Sequence, residues 1–243
     1  SLFKKIAIVG GFGDLGKHVT AAILAEGDRF DLTLITRKSG QSHAPVGAKV
    51  VELDDYNDSD GLIEVLTGQD VLMSFHNTAA APGANLSLLS CAIKAGIKRF
   101  VPTDYSFDVT HPAAIEQAVP GSPMAGRTDT IESILSAASQ GDITYTLFVP
   151  AGWLDWGLDN GFLGFDIKAR KAKLVDQGAN KATACTQPFI AQSVVNMLKQ
   201  PPSETENKKI PIAEVEYTGL ELLKLFEAET GATWEVTNIT LPE

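Results

Sequence analysis

Apolar residues follow two rhythms along this chain. Short unbroken runs such as Ile6 to Val9 alternate with segments whose apolar positions recur every three or four residues. The first pattern marks strands buried on both faces of a parallel sheet, and the second marks amphipathic helices. Strands are expected at Ile6 to Val9, Leu32 to Thr36, Ala48 to Leu53, Asp70 to Phe75, from Lys98 to Pro102, and Thr144 to Val149. Between them, Leu15, Val19 and Ile23 share one helical face that Gly27 can close. Further helices are expected from about Ser59 to Leu66, from Asn85 to Ala95 with a stop at Gly96, and from about Met124 to Ser139. Gly40 to Gly47 reads as loop, as does His111 to Pro123 with its three prolines.

Beyond Pro150 the rhythm changes. The stretch from Gly152 to Asp166 is rich in glycine and aromatic residues without a clear period. Trp153 and Trp156 there fit a pocket wall or an aromatic core, and Asp155 fits either a pocket carboxylate or a loop cap. Lys173 to Val175 suggests a short strand. Pro188 can open a helix carrying Ile190, Val194, Val195 and Leu198, and Ile210 to Ile212 suggests an edge strand. Thr218 and Glu221 fit a capping box for a helix ending near Gly231, followed by a last strand at Trp234 to Val236. The expected organisation is an α/β domain over 1–150 and a smaller region over 151–243, partly packed back on the first.

The turn after the first strand carries the most chemistry. Gly10, Gly13 and Gly16 are spaced three apart, and Gly11, Gly13 and Gly16 fit the G-x-G-x-x-G pattern equally well. Placed between a strand and a helix in a βαβ unit, such glycines let a pyrophosphate approach backbone N–H groups at the helix start. The turn as a whole, Gly10, Gly11, Phe12, Gly13, Asp14, Leu15 and Gly16, is the expected cradle of a dinucleotide. Where an NAD site usually has Asp or Glu at the end of the second strand, this chain has Arg37, Lys38 and Ser39. Two cations and a hydroxyl suit a ribose 2′-phosphate, so NADP(H) is expected rather than NAD(H); the alternative is a solvated cationic loop. At later strand ends, Asp54 either meets the adenine or begins a loop. His76 and Asn77 lie near the cofactor if the sheet is parallel. Thr103, Asp104 and Tyr105 set a hydroxyl, a carboxylate and a phenol at the ligand-binding edge.

The composition narrows the partners. Among 243 residues, 44% are hydrophobic and 21% charged, ordinary for a soluble globular protein. A formal net charge of −10 argues against a nucleic-acid groove. Two cysteines, Cys91 and Cys185, show no metal spacing with the four histidines and are read as reduced structural thiols. No apolar run approaches a membrane span and no signal-peptide pattern opens the chain, so a cytoplasmic protein acting on a small molecule is expected, as a monomer or homodimer.

Three segments together resemble a known family. The Gly10, Gly13, Gly16 spacing, the run Lys98 to Tyr105 and the run Phe162 to Asp166 look like the NmrA-like and isoflavone-reductase-like proteins, atypical short-chain dehydrogenases, with the fungal branch closest in texture. The segment Glu214 to Thr218 adds to the likeness, which covers nearly the whole chain. The resemblance implies a Rossmann-type doubly wound parallel sheet binding NADPH, with a small C-terminal substrate-binding region. Reductases of the family move hydride from NADPH to a conjugated or benzylic carbon of a phenolic or quinone-like substrate. Regulatory members bind NADP without known catalysis and present a surface to a protein partner. A non-redox isomerase or dehydratase on the same scaffold is a third reading.

One position departs from the pattern. Family reductases carry a lysine early in the helix after the proline-rich loop, and Arg127 stands there, with Ile134 seven residues on. Lysine can give up a proton in a desolvated pocket, whereas arginine stays charged. Arg127 can polarise a carbonyl or stand as a surface cation. No Tyr-x-x-x-Lys pair exists: Val109, Val149 and Glu221 lie four residues after Tyr105, Tyr145 and Tyr217. Tyr105 is therefore the first candidate proton donor, unless it packs with its hydroxyl bonded to a loop, and Asp104, His76 and solvent follow.

Overall fold

The computed structural model describes residues 2–38, 45–56, 59–76, 83–116 and 123–240, with side chains from 126 in the last stretch. The chain divides into two compact units, one made of Ser1–Val149 and Ala191–Ile210, the other of Pro150–Ile190 and Pro211–Glu243.

The first unit is built on βα repeats: β1 (Lys5–Val9), α1 (Asp14–Leu24), β2 (Asp31–Arg37), β3 (Ala48–Leu53), α2 (Ser59–Leu66), β4 (Val71–Ser74), α3 (Ala84–Ala95), β5 (Arg99–Val101), α4 (Pro112–Glu116), α5 (Pro123–Ser139) and β6 (Thr144–Val149). Six strands pair in parallel in the order β3-β2-β1-β4-β5-β6. The order reverses between β1 and β4, and in such sheets ligands bind in the crevice beyond the carboxyl ends at that reversal. Residues 6–9 of β1 and 71–74 of β4 have no solvent exposure, which accounts for the apolar runs Ile6–Val9 and Val71–Met73, with Ser74 satisfied by His76.

Strand alternation sends Ala7, Val9, Leu72 and Phe100 into a core closed by Leu62 and Leu66 of α2, Leu88 and Ala92 of α3, and Ile131 and Ile134 of α5. On the opposite face, a Cβ on Gly11 would lie 2.9 Å from the Leu34 side chain and 3.2 Å from that of Ile8. Lys199 pairs with Glu26 at 2.8 Å, linking the helix Gln187–Lys199 to the turn after α1.

The second unit contains β7 (Gly152–Trp153), α6 (Leu154–Asp159), β8 (Phe165–Asp166), β9 (Lys171–Val175) and β10 (Lys181–Cys185). The helix α7 (Gln187–Lys199) leads back to the first unit, where β11 (Lys208–Pro211) joins the edge of the large sheet beside β6. The second unit then resumes with β12 (Val215–Thr218), α8 (Gly219–Thr230) and β13 (Glu235–Ile239), giving two three-stranded sheets, β12-β10-β7 and β13-β9-β8. Its core is small and aromatic: Phe165, Leu174, Leu223 and Trp234 are buried together with Phe226 against them.

Several local expectations are corrected. Gly27 does not close α1, which ends at Leu24; Gly27 instead begins a 3-10 turn at φ +61°. Within the proline-rich stretch, Pro112–Glu116 is helical rather than loop, because Pro112 sits at the first helical position, where its missing N–H costs nothing. The glycine-aromatic stretch contains the helix α6. By contrast, the Thr218–Glu221 capping box forms in both directions, at 2.8 and 3.1 Å, and Gly96 and Gly231 close their helices in the left-handed conformation.

Candidate active site

The glycine turn lies between β1 and α1, beside the point where the strand order reverses. Gly10 has φ +78°, and a Cβ there would meet the backbone of Phe75 and His76, at the end of β4, at 2.6 to 2.8 Å. Gly16 is tighter still: its Cβ would fall 2.1 Å from the Gly10 carbonyl oxygen. These two glycines therefore let α1 start directly against the turn, with the Gly13 N–H donating to the Gly10 oxygen at 3.0 Å and Thr20 Oγ1 donating to the Gly11 oxygen at 3.0 Å. No side chain caps α1. Its first-turn N–H groups thus lack intrahelical partners and point where an anion would sit. An uncapped helix start behind side-chain-free Gly13 fits a pyrophosphate. The Leu15 side chain is turned into the core, at 4% exposure.

At the end of β2 the Arg37 guanidinium lies over the Tyr56 ring, 5.7 Å from its centroid. Lys38 Nζ pairs with Asp54 Oδ1 at 2.7 Å, an exposed contact that places Asp54 beside the cations. His76, at 7% exposure, shares a 2.6 Å hydrogen bond between its Nδ1 and Ser74 Oγ. Burial first, and then the Arg37 charge, bring the imidazole pKa down to about 4, so His76 is neutral at physiological pH. The Thr103 hydroxyl donates to the His76 carbonyl at 3.1 Å, tying the ends of β4 and β5. Asn77, Ser39 and most of the loop from Gly40 lie outside the described residues.

Beyond β5, Arg127 Nη2 donates to both Asp104 Oδ1 and Ser106 Oγ, and the guanidinium lies 5.0 Å from the Phe107 ring centroid. Burial pushes the Asp104 carboxyl above the usual carboxylate range; Arg127 opposes the shift and the Asp108 charge adds to it. Asp104, Phe107, Ile131, Leu147, Phe148 and Lys209 line one small recess. Tyr105 points into the fold instead. At 6% exposure its ring stacks between Phe75 and Phe148, at centroid distances of 5.0 and 6.0 Å, and burial raises the phenol well above its usual 10.

In the second unit, Asp155 accepts the Gln187 N–H at 3.0 and 3.1 Å and the Trp156 N–H at 2.9 Å, so it ties the start of α6 to the start of α7. Trp153 and Trp156 meet edge-on at 6.0 Å, and Trp156 leans on Phe162 at 5.5 Å. Among the described residues no group of three or more His, Cys, Asp or Glu could hold a metal, and no helix is long and apolar enough to cross a membrane.

Sequence reasoning missed Tyr56, Ser74, Asn85 and Ser106. The Thr103 N–H donates to Asn85 Oδ1 at 3.5 Å, and a buried polar residue opening an apolar helix was the available signal for Asn85. Tyr56 followed two aspartates in an apparent loop and carried no such signal.

Comparisons with known proteins fit this geometry. The chain is 29% identical over 239 residues to the oxidoreductase aprR of Aspergillus flavus, covering 98% of this chain and 78% of that one. It is 30% identical over 228 residues to the oxidoreductase poxI of Penicillium oxalicum, covering 92% and 69%, and 29% identical over 242 residues to the isoflavone reductase homolog IRL of Zea mays, covering 95% and 75%. Among solved structures, AtPrR2 with NADP+ and (+)pinoresinol superimposes with a TM-score of 0.78 at 22% identity, over 99% of this chain and 80% of that one. The binary complex of leucoanthocyanidin reductase and NADPH from Vitis vinifera gives 0.78 at 18% identity, over 97% and 78%. The family profile matches residues 3–243, and the chain belongs to the NmrA-like family.

Proposed function

We propose that this protein is an NADP(H)-dependent oxidoreductase that reduces a small aromatic, quinone-like or enone substrate. The observation that carries the reading is the pairing of an uncapped, glycine-opened α1 with Arg37 at the end of the adjacent strand. The first suits a pyrophosphate and the second a 2′-phosphate. Relatives named oxidoreductase, and structural neighbours that hold NADP+ or NADPH, support it.

A dinucleotide held by the glycine turn and Arg37 would supply the hydride for the substrate carbon. Arg127 then acts as the fixed cation for negative charge developing on a substrate oxygen. Asp104 orients the guanidinium. Burial raises its carboxyl pKa while Arg127 opposes the shift, and the proton that completes the reduction comes from solvent. Tyr105 forms the apolar wall behind it. The test is NADPH consumption against quinones, enones and phenolic ethers, with cofactor binding measured in parallel. Turnover of one class, abolished by Arg127→Ala, is the expected result, and no binding of NADPH at saturating concentration overturns the whole reading.

A second reading, an NADP(H) sensor without turnover, is favoured by one observation: the guanidinium at the position of the family's lysine is engaged by Asp104 and Ser106 and cannot give up a proton. Tight binding without turnover of any substrate would decide for it.

A further inference from the structure

Arg37 is a long, largely exposed side chain, yet one side of its guanidinium is occupied by a buried ring. Tyr56 has 6% exposure and lies beneath the guanidinium at 5.7 Å. Its phenol oxygen also accepts a hydrogen bond from Arg37: burial raises the phenol above its usual 10, while the Arg37 charge and that hydrogen bond oppose the shift. Tyr56 also meets His76, with ring centroids 6.3 Å apart, and His76 is fixed in turn by Ser74. An arginine in free solution samples many rotamers, and a recognition site must oppose that entropy before it gains from the contact. Here a buried ring and its hydroxyl engage the guanidinium before any ligand arrives. Lys38, its neighbour, is drawn instead to Asp54.

From this geometry we infer that Tyr56 is a positioning residue for cofactor selectivity. It holds the Arg37 guanidinium in the orientation that receives a ribose 2′-phosphate, so discrimination between NADP(H) and NAD(H) depends on Tyr56 as well as on Arg37. The inference rests on the NADP(H) reading above and adds a residue to it. Tyr56 touches no phosphate in this account; it acts through Arg37 alone.

The experiment compares dissociation constants for NADPH and NADH, measured by calorimetry, in wild type, Tyr56→Phe and Tyr56→Ala. Loss of the ring is expected to weaken NADPH by about three- to thirtyfold while NADH stays within about twofold. Tyr56→Phe, which keeps the ring but loses the hydrogen bond from Arg37, should fall between wild type and the alanine variant, and it keeps the proposal testable if the alanine variant folds poorly. A second readout needs no turnover. The groups facing His76 are Arg37 from the end of β2, Tyr56 after β3 and the Ser74 hydroxyl on β4, with Asp55 acting on Tyr56. A 2′-phosphate seated on Arg37 offsets the cation that disfavours the imidazolium. NADPH should therefore raise the His76 titration midpoint seen by NMR further than NADH does. Equal weakening of both dinucleotides in Tyr56→Ala, or an unchanged ratio, overturns the role of Tyr56 while leaving the proposed function standing. Wild-type protein that binds neither dinucleotide overturns both.

Discussion

The Arg127 guanidinium, on the first turns of α5, donates to the Asp104 carboxylate 23 positions earlier in the chain. Side-chain exposure is 26% for Arg127 and 10% for Asp104, so the pair is partly desolvated rather than a surface contact. Removing one member leaves a poorly solvated charge behind. Arg127→Ala should destabilise the protein by roughly 2 kcal/mol, allowing for the exposed part of the guanidinium. Adding Asp104→Asn should return about half of that, because no buried charge is then stranded. Urea denaturation of the two single variants and the double variant measures the coupling. A double variant no more stable than Arg127→Ala would mean that the pair does not carry the energy assigned to it.

The glycine turn makes a contrasting prediction about backbone packing. A methyl group at Gly16 meets the Gly10 carbonyl oxygen at 2.1 Å, and its close neighbours are all backbone atoms of Gly10 and Gly11, with no flexible side chain to yield. Gly16→Ala should displace the start of α1, cost about 1–3 kcal/mol and weaken NADPH binding more than tenfold. At Gly126, inside α5, a Cβ would meet nothing within 4 Å. Gly126→Ala should therefore leave binding intact and stabilise by about 0.5–1 kcal/mol through helix propensity. Thermal melts with and without NADPH separate the two.

His76 ties stability to pH. Its folded pKa of about 4 lies below the usual 6.5, so between those values the unfolded chain binds the extra proton. The contribution of neutral His76 is complete above pH 6.5 and is lost as pH falls towards 4, to a limit of about 3 kcal/mol. Asp104 runs the other way, since its raised pKa makes the folded state the tighter proton binder above the usual carboxylate value. Unfolding free energies at pH 7, 6 and 5 should fall in wild type and fall less steeply in His76→Asn. Parallel slopes for the two proteins would show that another group carries the dependence.

How much of this was legible before folding depends on where the information sits. The parallel sheet was readable because buried strands such as Ile6 to Val9 tolerate no polar residue, and the glycine turn because its tightness forbids side chains at Gly10 and Gly16. The strand Lys181–Cys185 was not, since its first three residues are exposed and its pairing partner, Val215–Thr218, lies more than 30 residues on. At the candidate site, Asp104 and Arg127 were each singled out, but their contact depends on how α5 packs. Tyr56 was invisible, because a ring that props an arginine looks in sequence like any loop aromatic. Asp155 had two open readings, and its three hydrogen bonds to N–H groups give it a capping role in the second unit.

Arg99 illustrates a charge that packing hides altogether. It lies on β5 at 1% exposure, yet its closest carboxylate, Glu206, is 4.0 Å away and half exposed. The fork is satisfied instead by the hydroxyls of Thr144, Thr146 and Thr205 at 2.7 to 3.0 Å and by the Pro202 carbonyl at 3.0 Å, with Phe3 beneath it at 5.4 Å. Burial lowers its pKa to about 10, which still leaves it charged at neutral pH. These partners pin the segment after α7 to the large sheet. Lysine offers a single ammonium group where four acceptors are spread around a planar fork, so Arg99→Lys should cost about 2–3 kcal/mol despite conserving charge. Glu206→Gln should cost under about 1 kcal/mol, because a half-exposed charge at that distance contributes little. Chemical denaturation of both variants checks the ordering, and a Glu206 variant as damaged as Arg99→Lys would transfer the stabilisation from the hydroxyls to the ion pair.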